Sequence, residues 1–259
     1  MNRSSLVILL ACLQFVFATA NAKNKHREYY QITVYHFATA GQEKMLDSYL
    51  KDAYVPALHR LGNEKVGVFK LIANDTASDK LIYVMMPFKK VNEIVSLPTR
   101  LQKDNLFVQA SQYFDTSYRN PPYTRMENII LQAFTLAPVM NLPKLTGPRN
   151  ERVYEFRSYE SPTERFYRSK VHMFNEGGET GIFSRLHFNP VFYAEVIAGC
   201  RMPNVMYMTT FENKSDRDLH WKDFSADPEW KRLSALPQYQ HNISIHDIRF
   251  LRPTDYSDY

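Results

Sequence analysis

Cysteine is scarce in this sequence, with two residues, Cys12 and Cys200, in a chain of 259. Cys12 falls in an N-terminal segment that we expect to be removed, so the mature chain would keep Cys200 alone. One cysteine can form neither an intramolecular disulfide nor a cysteine zinc cluster. We therefore expect packing to hold the domain together, with Cys200 buried and inert.

Several sequence motifs of well-known active sites are also missing. The chain has no Gly-x-Gly-x-x-Gly, no phosphate-binding loop and no Gly-x-Ser-x-Gly, which leaves nucleotide binding and serine hydrolysis without a motif. The chain contains no His-x₃-His and no His-Glu-x-x-His pair, so we predict no metal site, and nothing indicates another cofactor. The basic residues are dispersed rather than clustered, and the formal charge is only +5. A solvated surface fits this distribution better than a nucleic-acid site.

The only long apolar run lies at the N-terminus. Arg3 is followed by an apolar stretch over residues 6–18 and then by Ala20-Asn21-Ala22. This pattern predicts a signal peptide cleaved near Ala22, and hence a secreted or periplasmic protein. The run is too short for a stable membrane span. A lipoprotein anchor at Cys12 is the less favoured alternative, because the apolar run continues beyond that residue.

An internal repeat organises the rest of the chain. Residues 30–35 (YQITVY) align with residues 154–159 (YEFRSY), and the same offset aligns 81–83 (LIY) with 205–207 (VMY). A third match, 136–138 with 251–253, has a shorter offset. Three matching segments in one order indicate two copies of one structural unit.

Each copy has the pattern of a β-α-β-β-α-β unit. In the first copy, Thr39 and Gln42 form a capping box before an amphipathic helix, and a second helix over 91–113 is expected to break near Pro98. In the second copy, helices are expected to start at Ser161, with Pro162 and Glu164 following, at Ser215, and at Asp227-Pro228. The predicted strands are 29–37, 66–73, 80–87 and 128–137 in the first copy, and 153–160, 191–198, 205–211 and 243–251 in the second.

This order predicts an α+β fold of two tandem ferredoxin-like β-α-β-β-α-β repeats forming an internal dimeric α+β barrel. One ferredoxin-like sheet leaves a face uncovered, and two copies in one chain can cover each other. The predicted organisation is a signal peptide over 1–22, a first repeat over 27–138, a linker over 139–150 and a second repeat over 151–255.

The second repeat resembles the NIPSNAP family. The resemblance is carried by Val153-Tyr154-Glu155-x-Arg157-x-Tyr159, by Trp221-x-x-Phe224-x-x-Asp227-Pro228-x-Trp230, and by Phe188-Asn189-Pro190 and Met202-Pro203-Asn204. It covers residues 151–255, and the first repeat is divergent. The resemblance implies a barrel related to small monooxygenases and haem-associated proteins, of the exported bacterial type, with a poorly defined activity. A homo-oligomer is also compatible with this resemblance.

The candidate site lies on one face of the strand at 153–160. Alternation places Glu155, Arg157 and Tyr159 on one face, and the more apolar Tyr154 and Phe156 on the other. We expect the apolar face to pack on the helices and the polar face to look into the barrel. The predicted ligand-binding set is Glu155, Arg157, Tyr159, Tyr193, Glu195 and His246. Two interpretations stay open, since Glu155 and Arg157 either form a buried hydrogen-bond network that fixes register or line a small-molecule pocket.

The predicted function is the binding of a small hydrophobic ligand in the barrel interior. An alternative is a cofactor-independent monooxygenase, with Glu195 or His246 as proton acceptor. A second alternative is a haem-handling barrel, in which the family resemblance makes His172 the axial candidate.

Overall fold

The computed structural model describes residues 26–259 except residues 113, 115–117 and 200. The predicted signal peptide, its cleavage site near Ala22, the lipoprotein alternative at Cys12 and the prediction for Cys200 all lie outside the described residues. Among the helices that are described, none is long and apolar enough to cross a membrane.

The described chain consists of two halves with the same order of strands and helices. The first contains β1 (Tyr29–Phe37), α1 (Ala40–Tyr49), a π-helical segment (Leu50–Tyr54), α2 (Val55–Arg60), β2 (Gly67–Leu71), β3 (Lys80–Phe88), α3 (Val91–Gln102), α4 (Asn105–Ser111) and β4 (Arg125–Ala133). The second contains β5 (Val153–Glu160), α5 (Glu164–Phe174), α6 (Glu179–Arg185), β6 (Pro190–Ala198), β7 (Asn204–Phe211), α7 (Lys214–Ala226), α8 (Pro228–Ser234), a short 3₁₀ helix (Pro237–Tyr239) and β8 (Ile245–Pro253).

The eight strands close into one antiparallel barrel. Their order is β1-β3-β2-β8-β5-β7-β6-β4, so each half contributes four adjacent strands. The halves join where β2 pairs with β8 and where β4 pairs with β6. Closure leaves no unpaired sheet edge. The predicted α+β fold with an internal barrel is confirmed.

The two faces of each strand pack into different cores. Tyr154 and Phe156 lie inside the barrel, in a cluster with Tyr30 and Ile32 of β1. Their neighbour Tyr159 belongs to a separate cluster between the sheet and the helices of the second half. The predicted orientation of β5 was therefore wrong, because the apolar face fills the barrel and the polar face packs under the helices.

Two of the predicted helix starts are confirmed, those at Thr39 and at Asp227. Thr39 and Gln42 form the predicted capping box, and Asp227 caps α8 with Pro228 at its first position. The other predicted starts were wrong. Thr163 precedes α5, Asn213 caps α7, and the break in the 91–113 helix lies at Asp104, which caps α4, rather than at Pro98, which lies inside α3. Helix α6 was not predicted.

The carboxylate of Asp227, which caps α8, has a lowered pKa that can be measured. The Arg185 side chain first, and then the backbone N–H groups of Trp230 and Glu229, donate hydrogen bonds to this carboxylate and lower its pKa to about 2. Because the folded-state pKa is depressed, the stability that this group contributes is present above its ordinary pKa and is lost as the pH falls through about 2. We expect Arg185→Gln to raise the pKa of Asp227, measured by carboxyl NMR titration. An unchanged value would assign the shift to the helix cap alone.

One end of the barrel is closed by two segments that follow the strands. Met140, from the connection between the halves, and Tyr259 are both buried in the interior cluster. The Tyr259 hydroxyl lies 3.2 Å from the Met140 sulfur, and the Asp258 N–H donates to the carbonyl of Val66. These contacts cover the end of the barrel at which β1 and β5 begin.

Candidate functional site at the barrel opening

A cavity of about 580 Å³ lies at the other end of the barrel. The residues that line it come from the ends of β1 and β5 and from the beginnings of β3, β4, β7 and β8. Its apolar walls include Val34, Leu81, Ile129, Phe156 and Met206, each at most 5% exposed. This volume lies within the usual range for small-molecule sites.

The inward-facing positions change from apolar to polar toward this opening. On β1 the inward series runs Tyr30, Ile32, Val34 and then His36, and on β5 it runs through Phe156 to Ser158. The same change occurs on the antiparallel neighbours β4 and β8, where Glu127, Asp247 and Arg249 lie toward the opening. The result is an apolar floor beneath a ring of polar side chains.

His36 is oriented by a carboxylate at the opening. Its Nδ1 lies 2.9 and 3.1 Å from the two oxygens of Asp79, and its Nε2 lies 3.4 Å from Glu127 Oε1. Nε2 is buried and makes no hydrogen bond with the described residues. The imidazole is thus held between two carboxylates, with Nδ1 toward Asp79 and Nε2 toward Glu127.

Tyr83 stands among the charged groups of the opening. Burial raises the pKa of its phenol, the charge of Arg249 opposes this rise, and the carboxylates of Asp247, Glu127 and Asp79 add to it. Its ring meets Phe156 edge-on, with 5.7 Å between centroids. Tyr83 is therefore a neutral phenol that joins the apolar floor to the polar ring.

The two arginines of the opening are engaged by carboxylates. Arg249 Nε lies 2.7 Å from Asp247 Oδ1, and Arg201 lies 3.0 Å from Glu160 and 4.0 Å from Asp247. Their positive charges are thus largely balanced before any ligand is present.

The predicted site residues lie elsewhere, under the helices. Glu155 is fully buried and accepts hydrogen bonds from Arg157, from Arg217 of α7 and from the indole N–H of Trp221, at 2.6–2.9 Å. The Arg157 guanidinium stacks 3.6 Å from the centre of the Trp221 ring and donates to the Tyr159 hydroxyl. The geometry is that of a buried hydrogen-bond network, one of the two interpretations left open by the sequence.

The other three predicted residues are not gathered at one point. Tyr193 packs among aromatic rings of the second half, and its hydroxyl has no hydrogen-bond partner among the described residues. Glu195 binds Arg27 and Tyr167, at 2.5 and 3.0 Å. The His246 ring meets the Tyr159 ring at 4.8 Å. Ligand binding by the six predicted side chains stays a prediction.

The polar ring was missed, although the sequence contains a signal for it. His36, Ser158, Asp247 and Arg249 each continue an alternating series that is apolar further along the same strand. Had the apolar face been assigned to the barrel interior, these positions would have marked its polar end. Asp79 is different, because it lies outside the strands and only the fold brings it to His36.

Burial, with the charges of Arg157 and Lys170, lowers the pKa of His246, which lies on the outer face of β8.

His172, the haem candidate, forms a 2.8 Å hydrogen bond with Tyr239 through Nδ1, and its ring packs against the Tyr239 ring. Only Nδ1 of the imidazole is engaged by Tyr239, and a haem-handling role for His172 stays a prediction.

Comparison with known proteins supports the fold and identifies part of the chain. The model of the NIPSNAP family matches residues 154–258. None of the curated proteins matches the chain. A solved monooxygenase-like protein from Lactobacillus acidophilus NCFM is similar, with 11% identity, a TM-score of 0.56, and coverage of 88% of this chain and 94% of that one.

Two further solved structures are similar to this chain. A monooxygenase-like protein from Fusobacterium nucleatum has 8% identity, a TM-score of 0.55, and coverage of 88% of this chain and 93% of that one. A NIPSNAP-like domain protein from Burkholderia xenovorans has 20% identity, a TM-score of 0.38, and coverage of 41% of this chain and 89% of that one. The chain therefore has the fold of the dimeric α+β barrels, and its residues 154–258 form a NIPSNAP-like segment of that barrel.

Proposed function

We propose that the barrel opening binds a small molecule with an apolar body. The observation that carries this proposal is the cavity itself, whose apolar floor of Val34, Ile129 and Phe156 lies beneath a polar ring. An apolar body removed from water by such a floor gains about 25 cal/mol per Å² buried. The ring then orients whatever polar group the molecule carries, as in most small-molecule sites.

Filling the opening should abolish this binding. Ala77 lines the cavity from the connection between β2 and β3, so Ala77→Trp places an indole across the entrance. We expect the affinity for the neutral fluorescent probe N-phenyl-1-naphthylamine to fall about tenfold or more, a loss of at least ~1.4 kcal/mol. Fluorescence titration measures it.

Ala226→Trp is the matched control, since Ala226 is an exposed residue at the end of α7 and does not line the opening. It should bind the probe as the unmodified protein does. Equal affinities for all three proteins would show that the probe binds elsewhere, and would remove the proposal.

A cofactor-independent monooxygenase is a second candidate function. The observation that favours it is His36, a cavity-lining imidazole whose Nδ1 contacts Asp79 and whose Nε2 lies 3.4 Å from Glu127. General-base catalysis requires this arrangement of an oriented imidazole beside a bound substrate. His36→Gln would separate the two functions, because binding of an apolar probe should persist while turnover of any substrate should fall. Loss of both together would not support a base.

The proposal includes export of the protein. Residues 1–22 have the charge, the apolar run and the small-residue cleavage motif of a signal peptide. Expression of the full chain in a bacterial host, followed by N-terminal sequencing of the exported protein, should give a mature chain that begins at Lys23. A chain that retains Met1 would contradict export with cleavage.

A further inference from the structure

Strand β8 extends beyond β2, its neighbour at one of the two seams between the halves. The two strands pair over three residues each, 69–71 with 251–253, although β8 contains nine. One further bond follows, from the Ile72 N–H to the Phe250 carbonyl at 2.9 Å. Every strand of the barrel has two neighbours, but within the described structure residues 245–249 of β8 pair with β5 alone.

A buried asparagine fixes the point at which β2 leaves β8. Asn74 is 6% exposed, its side-chain oxygen accepts from the Leu81 N–H at 2.9 Å, and its Nδ2 donates to the Leu81 carbonyl at 3.0 Å. These bonds tie the connection between β2 and β3 to the beginning of β3, so the chain turns away from β8 after Ile72. The gap beside β8 is therefore a built feature of the fold.

Main-chain groups of β8 point into this gap. In an antiparallel ladder, the N–H and C=O of one residue face the same neighbouring strand, and successive residues face opposite sides. The Phe250 carbonyl faces β2, because it accepts from Ile72, so the N–H and C=O of Ile248 and His246 face the same side. No described residue of β2 or of its connection to β3 bonds to them. They form a short row of donors and acceptors to which another strand can be added.

The gap is continuous with the cavity of the proposed site. Ile248 and Phe250 line the cavity on the β8 side. The opposite wall is formed by small side chains of the connection between β2 and β3, those of Ala73, Ala77 and Ser78. A chain that paired with β8 here would lie at the edge of the cavity, above its apolar floor.

We propose that the opening receives an extended peptide segment, which adds a strand to β8 and places an apolar side chain on the cavity floor. This inference rests on the proposed function, since it names the class of ligand for the same cavity. A peptide carries both the N–H donors and the C=O acceptors that pair with the row on β8. Its side chains alternate, so every second one can enter the barrel.

The barrel determines which peptide amides would face β8. On β2, Phe69 and Leu71 point into the interior cluster. The residue that donates to β8 is the next one, Ile72. A strand in line with β2 would therefore bond to β8 through the residues on either side of its inward residue, and the amide of the inward residue itself would face away.

The test uses the peptide acetyl-Ser-Val-Phe-Val-Ser-amide, whose Phe is the inward residue, and two forms with two N-methyl groups each. One form is methylated at both Val nitrogens, and the other at the nitrogens of Phe and of the last Ser. Each peptide is titrated against the protein with bound N-phenyl-1-naphthylamine, and displacement is followed by fluorescence. We expect methylation at Val to weaken binding about tenfold or more, because it removes two main-chain hydrogen bonds. Methylation at Phe and Ser should leave the affinity within about twofold, because those amides make no bond to β8.

A proline on β8 shows whether this strand is responsible. Ile248→Pro removes an N–H that faces the gap, and it keeps the bonds to β5, because the Ile248 N–H does not face that strand. We expect the peptide to bind about tenfold more weakly, while N-phenyl-1-naphthylamine still binds and so reports a folded barrel.

Met126→Pro is the matched control at the other seam. Met126 pairs with Tyr35 near the beginning of β4, which is the position that His246 holds opposite Tyr159 in the second half. Met126 does not line the opening. This variant should bind the peptide and the reporter as the unmodified protein does.

The outcomes distinguish this inference from the proposed function. If N-phenyl-1-naphthylamine binds and the unmodified peptide does not displace it, the peptide inference is wrong and the binding function stands. Equal affinities for the two methylated peptides, or a loss confined to the form methylated at Phe and Ser, would also overturn the inference. The same holds if Ile248→Pro binds the peptide unchanged. If the reporter itself does not bind, both proposals are wrong.

Discussion

Replacing Glu155 by alanine is expected to lower the free energy of unfolding by about 3–5 kcal/mol. Glu155 is fully buried, and its two oxygens accept hydrogen bonds from Arg157, Arg217 and Trp221. Without the carboxylate, two guanidiniums with side chains only 10% and 17% exposed lose their common partner. The expected loss is mainly the cost of leaving the Arg157 charge buried without a carboxylate partner. Chemical denaturation of the two proteins measures it.

The dependence of this effect on pH provides an independent check. Burial alone would raise the pKa of Glu155, but hydrogen bonds from Arg217 and the charges of Arg157 and Arg217 outweigh burial and lower it below 4.5. Stability from a group with a depressed folded-state pKa is present above its ordinary pKa and is lost as the pH falls through the folded value. The difference between wild type and Glu155→Ala should therefore shrink in acid below that range.

Asp218→Ala is the matched control for Glu155→Ala. Asp218 also accepts a hydrogen bond from Arg217, but its side chain is 51% exposed. Solvent screens such pairs, so we expect a far smaller loss of stability. Equal losses for the two variants would contradict the importance of burial in the network.

The second large effect is expected at the buried ion pair of Lys170 and Glu179. The Lys170 nitrogen lies 2.8 Å from the Glu179 carboxylate, and both side chains are 3% exposed. It also lies 4.5 Å from the centre of the Phe174 ring. Lys170→Met keeps most of the side-chain volume but leaves Glu179 buried without its cation. We expect a loss of about 3–5 kcal/mol.

Removing both charges should reverse most of that loss. A buried ion pair replaced by apolar side chains of similar volume is often neutral or stabilising by about 1–4 kcal/mol. We therefore expect Lys170→Met combined with Glu179→Met to be close to the wild type or more stable in denaturant titrations. A double variant as unstable as the sum of the single variants would show that the residues act independently, and would contradict a coupled pair.

Much of the fold could be predicted, because β-strand alternation and the internal matches are local features. The strands β1 and β5 begin and end where the sequence placed them, at 29–37 and 153–160. Helix starts were harder, since neighbouring residues compete for the cap. Near α5, both Ser161 and Thr163 are capping residue types, but Ser161 donates to the carbonyl of Asn242 and the helix begins after Thr163, whose side chain makes no capping hydrogen bond.

The orientation of β5 could not be derived from alternation alone. In a closed barrel covered by helices, both faces of a strand are buried, and alternation distinguishes two faces without saying which is inside. Glu155 and Arg157 are tolerated under the helices because Arg217 and Trp221 of α7 complete their hydrogen bonds. Those partners lie about sixty residues further along the chain, and no local pattern connects them.

Predicting the candidate site likewise requires knowing which face of each strand lies inside the barrel. His36 and Arg249 continue inward series that the sequence shows, but they become a site only once the interior face is known. Asp79, which orients His36, comes from a connection between strands. Its position follows from closure of the barrel, and no spacing rule predicts it.

Methyl NMR of the protein, with and without N-phenyl-1-naphthylamine, tests the central claim most directly. The methyl groups of Val34, Ile129 and Met206 line the opening and should shift with the ligand in one saturable transition. Methyl groups under the helices, such as that of Met173 beside Lys170, should not shift. Shifts confined to the helical side, or no saturable shift at the opening, would contradict a binding site in the barrel.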